Sequence, residues 1–426
     1  MQLSRTAPVP PVRAIHVGLG AFFRAHQAWY TQQANSAGDG KAFGIAAFTG
    51  RRPDVAEVLS AQDAAYHLLT RGPGGDSAEL IECLAGAYSS ADVEAWKRFW
   101  ASPSVGYVTL TVSEAGYFRS DAVVQRVVDG LQARKSAGAG PIAIVPCDNL
   151  MDNGPTVGKL VLDYAEKTSA ELAAWAADNV SFVSTMVDRI TPATTDDDRT
   201  EIQSMTGLSD ASPVVTEPFT EWVLAGDFPG GRPTWEAGGA QFVSDVKPFE
   251  QRKLWLLNGS HSLLAYAGPT RGHRTVAEAI GDPVCRSWVE QWWDEACRHL
   301  PLSASDLATY RAALLSRYEN PRIRHELRQI AMDGSEKFPI RILPVVARER
   351  ANGVLPKAGV TALAGWVAHL REGTYVNDPR AEELKAAVSN GPDIAARHLL
   401  QVVGSPLADD AELIQAVAAR YRELTD

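Results

Sequence analysis

Cysteine is scarce in this chain. Four are present, Cys83, Cys147, Cys285 and Cys297, and no two stand in a Cys-x-x-Cys spacing. That argues against a disulfide framework and against a structural zinc site. A reducing compartment, the cytoplasm, is the expected location. There is also no basic block. Lysine and arginine number 41 against 51 aspartates and glutamates, for a net charge of -10. Such a balance sets phosphate-backbone binding aside, so no nucleic-acid partner is expected. No apolar run reaches the roughly 20 residues of a membrane span, so no membrane partner is expected either. Met1 to Arg13 holds Pro8, Pro10 and Pro11 but no apolar h-region, which predicts no signal peptide. Repeats at a solenoid period and low-complexity blocks are missing as well. Oligomeric state is left open.

What is present is an ordinary globular composition. The 426 residues are 45% hydrophobic and 22% charged, enough for two domains with sizeable cores. Ala14 to Val17 is a short apolar run leading into Gly18-Leu-Gly20-Ala-Phe22-Phe23, after which the residues have helical character. Strand, glycine turn and helix form the setting of a dinucleotide fingerprint. Gly18 would permit the tight turn and Gly20 the approach of a pyrophosphate. Phe23 stands where a third glycine is usual, so the motif equally fits a plain strand-to-helix turn.

The second strand, Phe43 to Phe48, ends in Thr49-Gly-Arg51-Arg52. An acidic residue here would select NAD. The arginines fit either the 2′-phosphate of NADP or solvated loop charges, so both cofactors remain open. Further strands are expected at 106–112, 141–145 and 181–187, with others at 214–219 and 241–246 and helices between them. Alternation of this kind implies a mostly parallel sheet with its ligand beyond the carboxyl ends of the strands. Asn149 and Asp188 fall at such ends. The run Asp196 to Asp198 reads as the start of a solvated surface helix.

From about Pro248 the pattern becomes helical, with helices expected at 283–299, 305–318, 321–332, 360–372, 379–389, 393–402 and 409–424. The tryptophans Trp288, Trp292 and Trp293 read as a helix–helix packing cluster. The expected architecture is a Rossmann-type α/β N-terminal domain over 1–246 and a mostly α-helical C-terminal domain over 247–426.

Lys253, Asn258 and His261 lie inside an otherwise apolar run. On an ideal helix of about 100° per residue, Lys253 and His261 are roughly 80° apart, with Asn258 roughly 60° beyond His261. A buried lysine shifts its pKa downward when desolvated and can act as general base toward a hydroxyl, and an asparagine amide can donate to a developing oxyanion. The bland alternative is a snorkelling lysine beside satisfied core polar groups.

With these residues in hand, the chain resembles the polyol-specific long-chain dehydrogenase/reductase family, also called the mannitol dehydrogenase family. Lys253, Asn258 and His261 reproduce its Lys-x4-Asn-x2-His motif. Gly18 to His26 is similar to its cofactor loop, and Cys147 to Gly154 to its strand-end motif. Asp188 to Pro192, Glu217 to Phe219, Tyr318 to Pro321 and Asp333 to Arg341 also match. The resemblance implies zinc-independent hydride transfer with NAD or NADP, NAD being favoured by the family. It makes Lys253 the acid/base and Asn149 and Asn258 the oxyanion-stabilising pair. It assigns His261, Asp188, Lys337 and Glu250 to the substrate or its proton path, and Gly18, Gly20, Phe22, Phe23, Thr49 and Arg51 to the cofactor. No metal ligand is implied. The segment His325 to Ser335 looks closer to the mannonate/fructuronate branch than to the mannitol branch, and Arg324, Arg328, Lys337 and Arg341 could meet a carboxylate. The competing classes are a mannitol–fructose enzyme, a non-catalytic nucleotide or sugar sensor, and a zinc alcohol dehydrogenase.

Overall fold

In the computed structural model the described residues are 1–38, 41–50, 53–112, 114–323, 325–372 and 376–426. They divide into two compact units, Met1–Lys247 and Pro248–Asp426.

The first unit is a Rossmann-type α/β domain. Its strands are β1 (Val12–Val17), β2 (Gly44–Phe48), β3 (Tyr66–Gly72), β4 (Gly75–Ile81), β5 (Leu84–Tyr88), β6 (Tyr107–Leu110), β7 (Ile142–Pro146), β8 (Val180–Phe182), β9 (Ser184–Asp188), β10 (Val214–Thr216), β11 (Glu221–Ala225) and β12 (Gln241–Phe242). Six make one parallel sheet in the order β5-β2-β1-β6-β7-β8. The chain builds outward from β1 through β2 to β5. It then returns to the other side of β1 and builds outward again through β6, β7 and β8. That reversal puts a crevice at the carboxyl ends of β1 and β6. There are two further three-stranded sheets, β10-β3-β4 and β12-β11-β9; β3 and β4 are inserted between β2 and β5 of the main one.

The central strands are apolar on both faces because both faces are covered. Along β1, Ala14 joins one core cluster while Ile15 and Val17 join another; along β7, Ala143 and Val145 join the first, Ile142 and Ile144 the second. This is the period-two alternation of a strand divided between two buried layers.

Several expectations are corrected. The run 181–187 is not one strand. It breaks at Val183, and β8 and β9 belong to different sheets. The expected strand over 241–246 shrinks to Gln241–Phe242. Strands β3, β4, β5 and β11 had no counterpart in the sequence reading. β4 is an edge strand whose side chains are mostly exposed or half-buried, so it carries no apolar signal. Asp198 is not a solvated charge: it is 6% exposed, completes a capping box with Thr195 and pairs with Arg71.

The second unit is helical. Its longer helices are Pro283–Cys297, Ala304–Tyr318, Lys357–Glu372, Pro392–Val402 and Ala411–Thr425. The helix expected over 321–332 is only Leu327–Ile330, and the sequence reading had no counterpart for Gly334–Arg341 and Leu343–Ala351. Buried tryptophans do join helices here, as expected: Trp288, Trp292 and Trp293 are at most 6% exposed.

Candidate active site

The glycine loop after β1 has the geometry that a dinucleotide needs. Gly18 has φ of +105°, and a Cβ on it would stand 2.3 Å from the Thr111 carbonyl oxygen, so no other residue fits without strain. Its carbonyl accepts from Thr111 Oγ1 at 2.8 Å and faces His16 Nε2 at 3.0 Å. Gly20 is different. The nearest atom to a Cβ there is 3.6 Å away, so its bareness leaves backbone open to a ligand rather than relieving a clash. These two observations fit a bound nicotinamide dinucleotide.

Beyond the strand ends lies a cleft of about 400 Å³, lined among others by Phe22, Thr111, Asp148, Asn149 and Val187. Phe22 and Asn149 are thus brought together, as a cofactor loop and a strand end should be. Asp148 shares the cleft wall. Burial pushes its carboxyl up to about 6, although the Tyr117 hydroxyl donates to it at 2.8 Å. Asp188 ends β9, is 5% exposed, and stands opposite Glu221 across the antiparallel pair β9–β11.

Two expected cofactor residues point elsewhere. Phe23 has no exposed surface, and its ring packs inward against His16. The Thr49 hydroxyl accepts from the Ser90 backbone N–H at 3.0 Å, tying two strand ends together. Arg51 and Arg52 lie outside the described residues, as do Ser113 and Arg324.

In the second unit the polar trio sits on a continuous helical run, Lys247–Arg252, Lys253–Asn258 and Gly259–Ala267, whose middle segment is a π-helical turn. The Gly259 N–H reaches the carbonyl of Leu254, five residues back. This corrects the angles drawn for an ideal α-helix. There, residues five apart are about 140° apart; a turn closed by i→i+5 bonds is wider and brings them much nearer to one face. Lys253 and Asn258 are five apart. His261, three beyond Asn258 in α-helix, falls roughly 60° from it. The trio therefore converges on one face more tightly than an α-helix allows. Lys253 and Asn258 are half-buried. Glu250, 8% exposed, lies three residues ahead of the lysine.

His261 is buried between Tyr318, 4.7 Å between ring centroids, and the edge of His325, 4.8 Å away. Burial and the charges of His325, Arg317 and Arg341 hold its imidazole well below the usual range, so it is neutral. Its Nε2 has no hydrogen-bond partner among the described residues; neither have His325 Nδ1 and Arg341 Nε. Three buried polar nitrogens left open call for a partner, which a ligand or a water can supply. Burial also lowers Arg341 to about 10. Lys337 spends its ammonium on the backbone, donating to Met332 O at 2.5 Å and Ile330 O at 3.2 Å. Arg328 is exposed. His325 was singled out in the sequence only as a branch marker. Its place against His261 depends on a distant turn that no local spacing encodes.

Among the described residues, one group has metal-like proximity, His273, Asp282 and Cys285. Its carboxylate is already paired with the guanidinium of Arg271, whose Nε donates to it at 2.5 Å.

A Rossmann-type domain with an open glycine loop, followed by a helical domain bearing a lysine, an asparagine and a neutral histidine on one face, defines a nicotinamide-dependent oxidoreductase acting on CH–OH groups. The Mannitol dehydrogenase Rossmann domain matches residues 12–237 and the Mannitol dehydrogenase C-terminal domain residues 245–425. The chain belongs to the mannitol dehydrogenase family. D-mannonate oxidoreductase of Escherichia coli is 33% identical over 97% of this chain and 93% of its own length. Mannitol 2-dehydrogenase of Pyrenophora tritici-repentis is 32% identical over 94% of this chain and 77% of its own. Among solved structures, the Pseudomonas fluorescens mannitol 2-dehydrogenase ternary complex with NAD and D-mannitol superposes with a TM-score of 0.81. It is 31% identical, covering all of this chain and 97% of that one. Among the described residues no helix is long and apolar enough to cross a membrane.

Proposed function

We propose that this protein interconverts a sugar acid bearing a secondary alcohol with the matching ketouronate, in the manner of a D-mannonate oxidoreductase. The observation that carries the choice of substrate is Arg341. It is half-buried, its Nε is shielded from solvent with no hydrogen-bond partner among the described residues, and it keeps company with His261. Holding its guanidinium away from water costs free energy unless a partner offsets it. A substrate carboxylate supplies that partner through charge-assisted hydrogen bonds, and a neutral polyol does not.

When bound, the nicotinamide takes up hydride in oxidation and returns it in reduction. Lys253 accepts the hydroxyl proton at Nζ and gives it back in the reverse direction. Asn258 donates to the oxygen as charge develops on it, and Asn149 has the same role on the first unit. Neutral His261 offers Nε2 to a neighbouring substrate hydroxyl. Asp188 orients another, Lys337 shapes the wall of the substrate site, and Glu250 relays the lysine's proton toward solvent. Gly18, Gly20 and Phe22 hold the dinucleotide, while Phe23 and Thr49 support the loop and strand end from beneath. Four free cysteines, three of them buried, suit a reducing cytoplasm.

The second reading is a mannitol 2-dehydrogenase, favoured by the 31% identity to the D-mannitol complex. Initial rates with fructuronate, tagaturonate and fructose, each with NADH and NADPH, separate the two. A charge-assisted pair is worth about 1.5–3 kcal/mol, so fructuronate should exceed fructose in kcat/KM by roughly ten- to a hundredfold. Fructose at or above fructuronate overturns the sugar-acid reading. No oxidation of reduced nicotinamide with any substrate would instead favour a sensor.

A further inference from the structure

The π turn carrying Lys253 and Asn258 is held from outside. Trp292 and Trp293 belong to the helix Pro283–Cys297, and Tyr318 ends the helix Ala304–Tyr318. The Trp292 indole N–H donates to the Trp255 carbonyl at 2.7 Å, and the Trp293 indole N–H donates to the Leu256 carbonyl at 3.1 Å. The Tyr318 hydroxyl donates to the Leu257 carbonyl at 3.0 Å. Three consecutive carbonyls thus each have a side-chain donor from a neighbouring helix. All three donors are buried, at 0%, 2% and 3% exposure. The Ser260 hydroxyl reaches two of them, those of Leu256 and Leu257, and lies 2.7 Å from the Tyr318 hydroxyl.

An α-helix has no need of this. Its interior carbonyls are satisfied by N–H groups four residues on. A π turn shifts that pairing by one residue and is stable only where something else makes good the weakened ladder. Gly259 belongs to the same device. A Cβ there would stand 2.7 Å from Trp292 Nε1, so the glycine between Asn258 and His261 lets the indole reach the helix backbone.

We propose that Trp292, Trp293 and Tyr318 are positioning residues whose side-chain donors lock the π turn and so keep Lys253 and Asn258 on one face. The inference rests on Lys253 being the proton acceptor. Without the donors the segment relaxes toward α-helix, where the two residues separate by about 140°. The tryptophan cluster is then part of the catalytic geometry and not packing alone.

The test uses the full chain with Trp292→Phe, Trp293→Phe, Tyr318→Phe and Gly259→Ala. The first three keep an aromatic ring and delete a donor; the fourth keeps the indole and displaces it. Lys253→Met is the control. The expected result is a fall in kcat of roughly ten- to a hundredfold, a displaced limb in the pH profile of kcat, and an unchanged Kd for NADH. A purely structural role would lower the thermal midpoint and leave kcat and its pH profile alone, and that result overturns the proposal. If a tryptophan variant does not fold, Gly259→Ala and Tyr318→Phe decide by the same criteria. An inactive Lys253→Met beside donor variants of wild-type kcat sinks only this inference. An active Lys253→Met sinks the catalytic reading and this inference together.

Discussion

The ring of Phe23 lies flat on the imidazole of His16, 3.4 Å between centroids and 7° between planes. His16 in turn holds the Gly18 carbonyl and Thr109 Oγ1. The position where a third glycine is usual is therefore filled by a packing group that sets the glycine loop from beneath. Replacing Phe23 by Gly should not improve the fingerprint. It should remove a fully buried ring and cost about 3–5 kcal/mol, read as a drop in urea midpoint.

The two loop glycines should fail differently. Gly18→Ala meets a Cβ clash at 2.3 Å together with a φ of +105° and should destabilise the fold by about 1–3 kcal/mol. Gly20→Ala meets only an ordinary contact at 3.6 Å and should leave the unfolding midpoint within about 0.5 kcal/mol of wild type while raising the Kd for NADH. Thermal unfolding and a fluorescence titration on the same two variants separate the outcomes. Equal effects on stability would remove the reason for assigning Gly20 to the ligand.

Acid should destabilise the protein through its buried histidines. Burial lowers His16 to about 3 and holds His261 well below its ordinary value. Once the pH falls below about 6.5, the unfolded chain takes up protons that the native state refuses. Stability is thus fully present above that value and is lost on the way down toward pH 3. Asp148, raised to about 6, acts with the opposite sign. Its contribution is present below its unfolded value near 4 and is lost as pH rises through 6. In denaturant titrations, wild type should lose ~1–2 kcal/mol more than His16→Gln between pH 7 and pH 5. Parallel losses would show that His16 titrates normally.

Arg341→Met keeps the apolar stem and removes the guanidinium. It should raise KM for a ketouronate by roughly tenfold or more and leave a neutral ketose nearly unaffected. An equal loss on both substrates would make Arg341 a packing residue.

Much of this was legible in the chain. The strands β1, β2, β6 and β7 are short apolar runs ended by polar or glycine residues, and such runs announce buried parallel strands. The trio Lys253, Asn258 and His261 stood out because polar residues in an apolar helix need a reason. Strand β4 was not legible because an exposed edge carries no hydrophobic period. The π turn was not legible because its cause lies in Trp292, Trp293 and Tyr318, more than thirty residues away in the chain. The open nitrogens of His261, His325 and Arg341 are tertiary facts for the same reason. Local pattern yields elements and suspects; long-range hydrogen bonds decide how suspects face one another.

The central claim is that Lys253 moves the proton. Its most direct test is the turnover of Lys253→Met with the preferred ketouronate across pH, beside the Kd for NADH. The account predicts a kcat reduced by about a hundredfold or more at every pH, with the Kd for NADH within about twofold of wild type. A Lys253→Met enzyme that turns over at near wild-type rate and keeps the wild-type pH profile would contradict it.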